Sequence, residues 1–160
     1  MKRIIVLMAM AATLLGAHAQ QGLHVNELFS GRIIPKEHMM ETVVRGKMIA
    51  KYQLSYFHSL RFIASADELA RIKELVEKDK DANGAQSGDE AHLSIMQRSE
   101  SGKEATTYLL RLKPRGDLNR YLCYKSSPLV LKKNEVTVIY MEGALPSLEK
   151  LKSILQVTVK

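Results

Sequence analysis

Hydrophobic and polar positions alternate most cleanly between Tyr52 and Phe62. Tyr52, Leu54, Tyr56, His58, Leu60 and Phe62 fall on one side, and Gln53, Ser55, Phe57, Ser59 and Arg61 on the other. A period of two marks a strand with one face in a core. Each buried Leu or Phe stabilises by about 1.5–3 kcal/mol, so a one-residue slip would expose several such groups together. The period then changes to that of a helix. Ser65 and Glu68 have capping-box spacing. Leu69, Ile72, Leu75 and Val76 share one helical face, while Glu74 and Lys78 form an i,i+4 pair on the wet side. Leu69 and Ile72 are expected to cover the Leu54 and Leu60 face.

The same reading extends along the chain. Met40 to Arg45 predicts a short strand ending at Gly46, with Met48 and Ile49 packed beneath the bend. His92 to Gln97, Thr106 to Lys113, Arg120 to Lys125 and Glu135 to Met141 predict four more. Ser101-Gly102 and Pro114 to Asp117 read as turns. Short turns between successive strands favour an antiparallel meander. Ser147 caps a final helix with Leu148, Leu151, Ile154 and Leu155 on one face. Residues 20–39 are poorly defined beyond one helical turn at Val25 to Phe29, closed by Ser30-Gly31. These elements predict an α+β domain, an antiparallel β-sheet of about five to six strands with two amphipathic helices packed on one face.

Residues 1–19 stand apart. Met1-Lys2-Arg3 is positive, Ile4 to Leu15 is almost wholly apolar, and Ala17-His18-Ala19 has the small-residue cleavage pattern. Together they predict a signal peptide, leaving residues 20–160 as a single domain. The apolar run is short of the ~20 residues that span a bilayer, and no second run of that length follows. Export into the periplasm or the extracellular space is expected, with no transmembrane segment in the mature chain. The full chain carries a formal charge of +7. That excess is dispersed, which argues against nucleic acid as a partner. Cys123 is the only cysteine, so the monomer has no disulfide.

Several blocks carry a family likeness. Val44-x-Gly46 leads to Ile49 and then Tyr52-x-Leu54-Ser55-x-Phe57-x-Ser59-Leu60. Asn119-Arg120-Tyr121, Ile139-Tyr140-Met141-Glu142-Gly143 and Leu148-Glu149-Lys150-Leu151-Lys152 follow. Together they resemble a family of small exported Bacteroidetes proteins of unknown function, from about Met40 to Leu155. The resemblance implies an exported single-domain protein of a Gram-negative gut or oral bacterium. It implies no activity and no catalytic residue.

Candidate chemistry is sparse. Asp79 to Glu90 fits the D-x-[DN]-x-[DN]-G-x₅-E calcium-loop pattern. Asp79, Asp81, Asn83, Ser87 and Glu90 would supply side-chain oxygens, Ala85 its carbonyl, and Gly84 the sharp turn. Gln86 stands where an apolar residue is usual, and a strand rather than a helix follows. A solvated acidic loop is therefore favoured over a calcium site, and no cofactor is expected. Arg115-Gly116-Asp117 matches an adhesion tripeptide, but Gly-Asp is ordinary turn chemistry. His58 reads as a hydrogen-bonded core histidine. Arg120 and Glu142 would pair if their strands are neighbours, fixing register more than making a site. His58, Arg120 and Glu142 are the remaining site candidates. No hydrolase, P-loop or dinucleotide motif occurs. The sequence favours a non-enzymatic exported domain that binds a protein or an envelope component. The alternatives are a small hydrolase with a site assembled from scattered residues, and calcium binding through residues 79–90.

Overall fold

A computed structural model describes residues 20–83, 92–98 and 104–158, with side chains placed for 20–83 and 105–155. The expected signal segment and the Ser101-Gly102 turn lie outside the described residues. The chain enters through a short helix α1 (Asn26–Phe29) and a 3₁₀ turn (Lys36–His38). Then come β1 (Met40–Arg45), α2 (Lys47–Ala50), β2 (Leu54–Ala64) and α3 (Ala66–Asn83). The rest is β3 (His92–Arg98), β4 (Glu104–Arg115), β5 (Leu118–Pro128), β6 (Asn134–Gly143) and α4 (Leu148–Thr158). The six strands form one sheet in the order β1-β2-β6-β5-β4-β3, antiparallel at each pairing. The expected α+β class, strand set and meander are all present.

One part of the expectation is corrected. The two long helices do not share a face. Ile72, Leu75 and Val76 of α3 pack with Tyr56, Leu60, Phe62, Leu110, Leu122, Tyr124, Val138 and Tyr140. Leu148 and Leu151 of α4 pack with Leu109, Tyr121, Cys123 and Met141, which are the alternate positions of the same strands. The cause is legible in β5: Tyr121, Leu122, Cys123 and Tyr124 are consecutive and all buried. A strand with apolar side chains on both sides needs cover on both faces. Segment 20–39 shares the α3 face and puts Leu23, Val25, Leu28, Phe29 and Ile34 into its core.

A bulge causes a second correction. Leu54 pairs with Gly143 while Tyr56 pairs with Glu142, so Ser55 is an extra residue on β2. The extra residue flips Leu54 into the α4 core, away from Leu60. Tyr52 precedes the strand and is partly exposed. Ile49 is buried as expected beneath the bend, but Met48 points to solvent at 78% exposure.

The helix signals act as read. Ser65 N–H donates to Glu68 Oε2 at 2.8 Å, and Glu68 N–H donates to Ser65 Oγ at 3.4 Å. Ser147 Oγ accepts from Lys150 N–H at 3.2 Å. Lys78 and Glu74 meet at 2.6 Å. Cys123 is buried, and burial pushes its thiol up to about 12, so it is inert at neutral pH.

Candidate functional site

Polar side chains collect on the α3 face near the start of β2. Strand register builds one row there: Arg45, Tyr56, Glu142 and Arg120 are successive cross-strand partners. The next row contains Val43, His58, Tyr140 and Leu122. His58, Arg120 and Glu142 are thus brought to one region, linked through the edge-on contact of Tyr56 and Tyr140 at 6.0 Å.

His58 is enclosed. Its Nε2 lies 2.7 Å from Glu41 Oε1, and its Nδ1 lies 2.7 Å from Gln20 Nε2 and 3.2 Å from the Tyr56 hydroxyl. The Phe29 ring covers it at 4.6 Å. A carboxylate accepts only, so the Nε2 proton is assigned to the ring, leaving Nδ1 to accept from Gln20 and Tyr56. Burial lowers the His58 pKa below 6.5, against the opposing pull of Glu41. For Glu41, burial pushes upward, but the hydrogen bond from His58 and the nearby Lys36 together bring it below 4.5.

A pH dependence follows. The folded protein binds the His58 proton less readily than the unfolded chain does. Its stabilising contribution is complete above 6.5 and is lost as pH falls through the lower folded value. Glu41 acts in the same direction, losing its contribution below 4.5. The urea midpoint is expected to fall between about pH 7.5 and pH 5, and His58→Gln should flatten the upper part of that profile. A wild-type midpoint that stays level over this range would refute the assignment.

Glu142 is buried and Tyr140 wholly so. The Tyr140 hydroxyl donates to Glu142 Oε1, which also takes Arg115 Nη2 at 2.5 Å. Arg120 Nε donates to the Tyr140 oxygen at 2.8 Å and its guanidinium stands 5.7 Å from the ring centre. The expected Arg120–Glu142 neighbours are therefore adjacent in register but joined through Tyr140, and the direct ion pair belongs to Arg115. Burial, reinforced by Glu142, pushes the Tyr140 phenol up, so it is a fixed donor and not an acid at physiological pH. Arg115 is the arginine of the adhesion-like tripeptide, and its ion pair holds it against the sheet.

The calcium-loop expectation meets a different geometry in its first half. Asp79, Asp81 and Asn83 belong to α3 rather than to a loop. Residues two apart on a helix do not converge on one point. Asp79 is 1% exposed, and its carboxylate accepts the backbone N–H groups of His24 at 2.7 Å and Val25 at 2.9 Å. Asn83 is taken by the Asp79 carbonyl and the Lys113 N–H. Ala85, Ser87 and Glu90 lie outside the described residues. Among the described residues, no three His, Cys, Asp or Glu side chains are grouped to hold a metal. A surface depression lined by Glu27, Arg71, Glu74 and Lys78 lies between α1 and α3, and His58 is not part of its lining.

The outward-facing chemistry lies elsewhere, on the β5–β6 hairpin, which sequence reasoning missed. Leu129, Val130 and Leu131 form its tip and are 38%, 72% and 87% exposed. Leu131 and Lys132 have φ of 59° and 57°, the left-handed backbone that Gly and Asn normally supply in such turns. Leu129 N–H donates to Lys133 O at 2.8 Å, and Lys133 N–H to Val130 O at 3.4 Å, closing the turn. A left-handed residue with a side chain costs roughly 1–2 kcal/mol. The signal was available: Leu129-Val130-Leu131-Lys132-Lys133 holds no turn former between two strands.

No helix among the described residues is long and apolar enough to cross a membrane. No curated protein is detectably similar to this chain, and no solved structure is either. Residues 12–155, most of the sequence, match a family of unknown function, DUF6108, and on that extent the chain belongs to it.

Proposed function

We propose that this chain is a non-enzymatic binding domain, exported through residues 1–19, that engages an envelope component through the β5–β6 tip. The observation that carries this reading is the exposed Leu129-Val130-Leu131 tip, in which Leu131 and the following Lys132 hold left-handed backbone. Among the described residues, none of the three belongs to either core cluster. Strain kept at an exposed apolar residue, Leu131, fits a contact made outside the chain. Burying three such side chains against a partner would supply several kcal/mol, at about 1.5–3 kcal/mol each for full burial. The inward polar clusters fit the same reading. His58, Glu142 and Tyr140 are engaged with one another's neighbours and support packing.

The test is fractionation of an exporting Gram-negative host. The wild-type protein is expected with the washed envelopes, and Val130→Asp with Leu131→Asp in the soluble fraction. The variant should melt no lower than the wild type, because the altered side chains lie in solvent and Asp tolerates the left-handed backbone at 131. Wild-type protein found wholly in the soluble fraction would end this reading.

A further inference from the structure

We propose that the β5–β6 tip inserts into the surface of an anionic lipid layer. The inference rests on the binding reading above and names its partner. The tip is a closed turn whose backbone bonds run inward, from Leu129 to Lys133 and from Lys133 to Val130. It offers side chains rather than a strand edge. Its apolar residues are consecutive and exposed at the end of the hairpin. Lys132 and Lys133 follow at once. Glu135, the nearest acid in sequence, is held by Arg61 Nε at 2.7 Å. Ile63, 56% exposed, is the cross-strand partner of Glu135 at the base of the hairpin. Apolar side chains leading and cations just behind match an interface with acyl chains below and phosphates above. Without Lys2 and Arg3 of the export leader the chain keeps a formal +5, from +7 less 2, which weakly favours the same surface.

An insertion this small binds weakly by itself and depends on both parts. The measurement is co-sedimentation of protein purified from the exporting host with protein-free vesicles. Binding is expected to equal mixtures of phosphatidylglycerol and phosphatidylcholine, and not to phosphatidylcholine alone. It should weaken with added salt. Lys132→Glu with Lys133→Glu should lower the affinity by at least about thirty-fold, and Leu131→Asp should abolish it. Leu131→Asn with Lys132→Gly supplies the residues this turn prefers. That variant should melt higher yet bind less, which separates lost contact from lost folding. If the tip holds the protein on envelopes but not on anionic vesicles, the lipid inference is wrong and a protein partner takes its place. If it binds neither, both readings fall. Vesicle binding that survives Leu131→Asp would likewise overturn the inference.

Discussion

Gly143→Ala is expected to lower stability by about 3 kcal/mol or more, at the upper end of what overpacking costs. A Cβ on residue 143 would stand 2.2 Å from the Gln53 carbonyl oxygen and 2.7 Å from Leu54 Cα. Both are backbone atoms, and neither can rotate away. The crowding arises where the bulge begins. Gln53 sits at φ 60°, Leu54 pairs with Gly143, and Leu145 N–H donates to the Gln53 oxygen at 3.2 Å. This crossing carries the chain from β6 to the face that α4 covers. For a domain of this size the loss corresponds to a melting temperature roughly 10 °C lower. Gly116→Ala is the comparison. Gly116 has φ 60° with nothing near its missing Cβ, so only the conformational cost of about 1–2 kcal/mol applies. Equal losses at the two glycines would show that close approach is not the reason for Gly143.

Asp79→Ala is expected to cost about 3–5 kcal/mol, from charge-assisted bonds worth about 1.5–3 kcal/mol each. One carboxylate oxygen accepts from His24 N–H and from its ring Nδ1 at 3.0 Å, and the other accepts from Val25 N–H. Removing it leaves backbone donors beside Val25 and Leu28, both fully buried. Asp79→Asn should recover little, because its amide would present a donor to one of those N–H groups. Hydrogen exchange gives the local readout, with residues 23–34 losing protection before the sheet does. Unchanged protection together with a loss under 0.5 kcal/mol would contradict the clamp.

The strands, α3 and its capping box were legible because their signals are local. The period of β2 and the Ser65–Glu68 spacing depend on a few neighbouring residues. The two-sided core was missed, although the unbroken Tyr121 to Tyr124 run carried its signal, because an amphipathic helix gives no sign of which face it will cover. The bulge at Ser55 was hidden, because it follows from Gly143, far away in sequence. Asp79 shows the same limit from the other side. Its spacing to Asp81 and Asn83 imitates a calcium loop, while its actual partners lie more than fifty residues earlier. The hairpin tip escaped because its residues violate turn preferences instead of following them.

His58 is held as a neutral structural member beneath segment 20–39, bonded to Gln20 and Glu41 and covered by the Phe29 ring. Nitrogen-15 NMR of the imidazole through a pH titration tests this directly. The Nε2–H tautomer at neutral pH and a midpoint below 6.5 are expected. A proton on Nδ1, or a ring already charged at neutral pH, would contradict it.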